Sequence, residues 1–119
     1  MGEYKFQSLL VYQLALDFID QVYELVNHLP GSEKFNLSSQ LIRAATSIAL
    51  NIAEGSTGQS NKEQNRFLSL ALRSYLECVA CLDLIQRRNY ISLDLIDDLR
   101  KKGRNLFYKI TRFQKALRE

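Results

Sequence analysis

Cys78 and Cys81 form the one Cys-x-x-Cys of the chain, the spacing of redox dithiols and of half a zinc site. A zinc centre needs about four ligands, and the single histidine, His28, stands fifty residues away. A redox pair belongs at a helix N-terminus, where the dipole lowers the thiol pKa. These two fall in the middle of "YLECVACLDLI", a helical pattern, and are expected to be buried thiols. His28, near a helix end, is placed to meet the last carbonyls rather than to move protons. Asp94, Asp97 and Asp98 open another helix, where carboxylates complement the dipole. The sequence has no glycine-rich phosphate loop, no histidine in step with a nucleophile and no clustered metal ligands. The expectation is a protein that is not an enzyme, with no cofactor and no metal.

What the sequence does concentrate is positive charge. The net charge of +3 is unevenly spread. Residues 1–99 hold eight Lys/Arg against twelve Asp/Glu, whereas residues 100–118 hold eight Lys/Arg and no acid. On a helical wheel of about 100° per residue, all eight fall opposite the apolar row Leu99, Gly103, Leu106, Ile110, Phe113, Leu117, and Tyr108 sits among them. Such a face attracts phosphates, and its aromatic can stack a base. Arg100, Lys101, Arg104, Tyr108, Lys109, Arg112 and Lys115 are therefore candidates for a nucleic-acid-binding face. The other reading is an ordinary solvated face whose cations complement the C-terminal end of the dipole.

Four helical stretches position these residues, and nothing reads as a strand. The first spans about 8–29, where Val11, Leu14, Phe18, Val22, Leu25 and Leu29 recur at steps of three and four before Pro30-Gly31 ends it. The second covers 38–54, with Asn36 or Ser38 as its cap and Gly55 expected in the left-handed position after it. A polar Ser-Thr-Gly-Gln turn follows. Ser60-Asn61-Lys62-Glu63 then has the form of a capping box for a helix over 61–88, with Asn89 as the residue after its end. The last helix covers 93–117 after Ser92. Short connections make neighbouring helices antiparallel, so the expected fold is all-α, a single up-down-up-down four-helix bundle over residues 1–119. The composition, 46% hydrophobic and 24% charged, is that of a soluble globular domain. No apolar run is long enough to span a membrane. "MGEYKF" begins like a myristoylation site, but Phe6 replaces the required hydroxyl residue. A cytoplasmic location is expected.

The second helix, "SSQLIRAATSIALNIAEG", carries more apolar surface than one stripe needs. Ala44, Ile48, Leu41, Ile52 and Ala45 make one face. Ile42, Ala49, Leu50 and Ala53 continue it, until roughly two-thirds of the circumference is covered. Either long side chains of the same chain lap over the second face, or another copy covers it. Arg43, Ser47, Asn51 and Glu54 form a polar seam, facing either a neighbour or water. Arg43 and Glu54 lie about 16 Å apart along the axis and cannot pair with each other within one helix.

"SSQLIRAATSIALNIAEG", with "SNKEQNRFLSLALRSYLE" and the later "YIS" turn, resembles the four-helix-bundle family encoded in 23S rRNA intervening sequences, itself related to the accessory variability determinant proteins of diversity-generating retroelements. The resemblance covers nearly the whole chain. It implies a bacterial bundle that assembles as a ring-shaped homopentamer, with a role beside RNA or a nucleic-acid enzyme. It also marks Ile42, Arg43, Ala49, Leu50, Asn51, Ala53, Glu54 and Gly55 as family motif and expected interface. Ile42 stands where members often carry a second arginine, and Ala49 where they often carry proline. The expected function is a non-catalytic, homo-oligomeric module associated with RNA through its last helix. The alternative is a protein-protein or structural assembly that binds no nucleic acid.

Overall fold

The computed structural model describes residues 2–58 and 60–119. Met1, where the acylation-like start begins, and Gln59, the last residue of the expected Ser-Thr-Gly-Gln turn, lie outside them. Four helices account for most of the chain: α1 (Leu10–Val26), α2 (Leu37–Gly55), α3 (Asn61–Arg87) and α4 (Leu93–Arg118). Short 3₁₀ turns at Lys5–Ser8 and Gly31–Glu33 precede α1 and α2, and no strand occurs among the described residues. Helices adjacent in the chain are adjacent in space, and α4 closes the ring onto α1. This is an up-down-up-down four-helix bundle. At about 1.5 Å per residue, the 27 residues of α3 account for most of the 43 Å long axis.

Each helix buries the stripe that its periodicity marks. Val11, Ala15, Phe18, Val22 and Leu25 of α1 meet Leu41, Ala45, Ile48 and Ile52 of α2, with Leu68, Leu82, Ile85, Leu99, Leu106 and Ile110 from the other two. Phe18 and Tyr75 bring α1 and α3 together across the diagonal, their ring centroids 6.3 Å apart.

The ends of the helices depart from expectation in instructive ways. α1 stops at Val26 rather than at residue 29, because Asn27, His28 and Leu29 fold into tight turns that bond back to Glu24, Leu25 and Val26. His28 is exposed there, and its backbone N–H reaches the Leu25 carbonyl at 3.0 Å. Asn36 is the cap residue of α2 but makes no side-chain cap bond. Ser38 is buried inside the helix, and the Glu33 carboxylate accepts from the Leu37 N–H instead, at 3.4 Å. At α3 the Ser60 hydroxyl accepts from the Glu63 N–H at 3.0 Å. The reciprocal half of the box is replaced by a pairing of Glu63 with Arg66 at 2.6 Å. Asn89 takes the left-handed conformation after α3, at φ 56°.

Gly55 is the clearest correction. It is the last residue of α2 itself, and the left-handed glycine of the following turn is Gly58, at φ +90°. A Cβ on Gly55 would stand 2.6 Å from the Phe67 Cβ. This glycine is needed so that α2 and α3 can approach, rather than for its backbone freedom. Beside it Ser56 donates to the Ile52 carbonyl and accepts from Gln64 at 2.9 Å, a buried bond that ties the end of α2 to the start of α3.

Candidate nucleic-acid interface

α4 is anchored by its apolar row, with Ile96, Leu99, Gly103, Leu106, Ile110 and Gln114 buried. Gln114 adds a polar anchor, donating to the Ser69 hydroxyl at 2.8 Å and to the Asn65 carbonyl at 3.2 Å. Fixing that row turns the opposite side outward. Lys101, Lys102, Arg104, Arg112, Lys115 and Arg118 are exposed, Lys109 is half-buried, and Tyr108 is 52% exposed.

The cations are not equivalent. Arg100 leaves the face: its guanidinium donates to Asp83 at 2.9 Å and Gln86 at 3.1 Å on α3, and its side chain is only 19% exposed. Its position at the edge of the helix, within reach of α3, makes it a tie between helices. Lys102, on the other edge, borders a shallow cavity with Asp17, Asp20, Glu24 and Asp98, so acids offset its charge. Among the described residues Lys101, Arg104, Lys109, Arg112, Lys115 and Arg118 form no ion pair. Arg112 donates to the Tyr108 hydroxyl oxygen at 2.8 Å and sits 5.6 Å from its ring centre. That bond, then the Arg112 charge, holds the phenol below the ordinary tyrosine pKa. The result is an aromatic plane and a guanidinium locked together in a row of free cations. A ring beside a fixed positive group can stack a base while phosphates are neutralised around it.

The second candidate surface, on α2, is sorted differently by the structure. Ala49 is buried within its own chain, at 5% exposure, so long side chains do cover part of the second apolar face. Gly55 is covered by Phe67. The Ser47–Asn51 row meets α3: Asn51 donates to the Ser47 carbonyl and hydroxyl at 2.9 and 3.0 Å, and Ser74 donates to the Ser47 hydroxyl at 2.9 Å. Ala49 and Gly55 are internal, and for these two the expectation of an interface is corrected, whereas Ser47 and Asn51 are half-buried against α3. Arg43, Leu50 and Glu54 remain exposed, with Leu50 at 62%, and Ile42 and Ala53 are half-buried. Phe35, in the turn before α2, is 89% exposed and borders a groove with Val26, Leu29, Pro30 and Ile42.

Cys78 and Cys81 are both free and buried in α3. Burial, with the nearby Cys81 and Glu77, pushes the Cys78 thiol up to about 12. Both thiols are packing groups in this fold. Three polar ties had no signal in the periodicity: Glu33 with Tyr90, Gln114 with Ser69, and Ser56 with Gln64. Each joins residues eight or more positions apart, which only the packed helices bring together.

No helix among the described residues is long and apolar enough to cross a membrane. Comparison with known proteins gives a consistent kinship. No curated protein matches the chain. A crystal structure of a protein of unknown function from the S23 ribosomal protein family of Bacteroides thetaiotaomicron is similar, with a TM-score of 0.81 and 26% identity. The match covers 89% of this chain and 99% of that one. The model of the family described as 23S rRNA-intervening sequence protein matches residues 7–112. Since that family model spans most of its length, the chain belongs to the 23S rRNA-intervening sequence protein family.

Proposed function

We propose that this protein is a non-catalytic, self-associating helical module that binds RNA phosphates through the outer face of α4. The observation that carries this reading is the row Lys101, Arg104, Arg112 and Lys115, exposed and without ion-pair partners among the described residues, around the Arg112–Tyr108 pair. Each lysine or arginine that neutralises a phosphate releases bound counterions, which drives association without reading sequence. The family's connection with rRNA intervening sequences fits such a partner. The related accessory variability determinant proteins extend the reading to a nucleic-acid enzyme as a second partner. The setting is the bacterial cytoplasm.

Self-association rests on a separate surface. Phe35, Leu50, and the half-buried Ile42 and Ala53 line the outside of α2 and the turn before it. Apolar groups gathered on one side of a small domain commonly mark a contact surface. Five copies is the number that the family resemblance implies. A ring repeats the α4 face in every subunit and raises avidity without new contacts. The experiment is direct. Fluorescence anisotropy with a labelled RNA at low salt should show binding by the native protein. Neutralising Lys101, Arg104, Arg112 and Lys115 together to Gln should weaken it at least a hundredfold with the helical spectrum intact. Equal affinity of the two proteins would contradict the reading.

A further inference from the structure

Among the described residues Phe35 is the most exposed large apolar side chain, at 89%, although an apolar groove lies beside it. The groove, about 570 Å³, is walled by Val26, Leu29, Pro30 and Ile42. A cavity of about 150 Å³ holds one benzene ring, so this groove has room for a phenylalanine. Burying such a ring is favourable. The chain nevertheless leaves it in water, with the Lys34 Nζ 5.5 Å from the ring centre. Something must hold it out.

The restraint lies in the residues on either side. Glu33 turns one carboxylate oxygen to the Asn36 side chain at 3.0 Å and to the Leu37 N–H at 3.4 Å. The Asn36 N–H also donates to the Glu33 carbonyl at 3.0 Å. Phe35 therefore stands in a loop that one side chain closes. The other carboxylate oxygen accepts from the Tyr90 hydroxyl at 2.7 Å. Tyr90 is half-buried against the core and follows Asn89, whose left-handed backbone, at φ 56°, turns the chain away from α3. That turn anchors the loop, and the loop sets where residue 35 can go.

We infer that the Glu33–Tyr90 hydrogen bond is a latch: it holds Phe35 out of the groove of its own chain and so keeps ring and groove free for a second copy. With the latch broken, the loop can turn the ring inward, and the chain covers its own groove. The inference rests on the self-association reading above, to which it adds a control from outside the apolar surface. Tyr90 is a positioning residue here, acting on the ring through Glu33.

The chain has no tryptophan, so Phe35→Trp supplies a single reporter. In dilute Leu50→Glu protein its emission should be that of a solvent-exposed indole, open to quenching by acrylamide. Adding Tyr90→Phe, which keeps the packed ring and removes only the hydroxyl, should shift the emission to the blue and reduce the quenching constant at least threefold. A merely loosened loop would leave the indole exposed. Glu33→Ala, which removes the acceptor, should act as Tyr90→Phe does and serves as the second variant if that one unfolds. With Phe35 in place, Tyr90→Phe should weaken self-association about tenfold, read by light scattering over a dilution series. Unchanged emission and quenching with the helical spectrum intact would overturn the latch, whatever the state of assembly. A blue shift with unchanged self-association would instead overturn the groove as the contact between copies.

Discussion

Glu33 shows how much one side chain can join in a small bundle. One oxygen accepts from the Asn36 side chain at 3.0 Å and from the Leu37 N–H, and the other accepts from the Tyr90 hydroxyl at 2.7 Å. The start of α2 is thereby tied to the turn between α3 and α4. The Tyr90 hydrogen bond is the main reason that the carboxyl is held below its ordinary pKa. A depressed carboxyl binds protons less readily folded than unfolded, so its contribution is present above the ordinary value of 4.5 and is lost as the pH falls through the folded one. Glu33→Gln should therefore lower the Tm at pH 7, and the gap from the native protein should narrow as the pH falls below 4.5, as thermal melts across the acid range would show. A gap that does not narrow with acidification would mean that the carboxylate charge is not what matters. Glu33 stood out in no pattern of the sequence, because its partner is 57 positions away. Cys78 and Cys81 were legible, since mid-helix thiols with no metal partners have little to do but pack.

At the scale of the helices, periodicity located all four, and what it could not supply was the neighbour that each face meets. The wheel put Ser47 and Asn51 in one row, but only the packing assigns that row to Ser74 of α3. The same limit misjudged Ala49 and Gly55: a small residue on an apolar arc looks the same whether it faces another chain or a helix of its own. Gly55 now has a definite cause. The atom that its Cβ would meet is the Phe67 Cβ, fixed to the α3 backbone, so a substitution must push the helices apart rather than turn a rotamer. Gly55→Ala should destabilise the bundle by about 1–3 kcal/mol, the usual cost of overpacking, measured as a lower denaturant midpoint with unchanged slope. An unchanged or raised midpoint would show that α2 and α3 have slack at this point.

The whole molecule presents two unlike exteriors. One, around α2, carries Phe35 and Leu50 in the open, and the other, along α4, carries Lys101, Arg104, Arg112 and Lys115, which form no ion pair among the described residues. Charge was the more legible of the two in the sequence, because a run of eight Lys/Arg without an acid needs no structure to be noticed. Its division into free cations and the tethered Arg100 did need one. If α2 mediates assembly, Leu50→Glu should reduce the mass in light scattering to that of one 13.8 kDa chain without loss of helix, since Leu50 supports nothing in the core. A variant that keeps the native mass would move the contact elsewhere. The central claim, that α4 is a phosphate-binding face, is tested most directly by the salt dependence of RNA affinity. The logarithm of the binding constant should fall linearly with the logarithm of salt concentration, and neutralising Lys101, Arg104, Arg112 and Lys115 should reduce the slope by about 3 for single-stranded RNA. An identical slope in the native and neutralised proteins would contradict the claim.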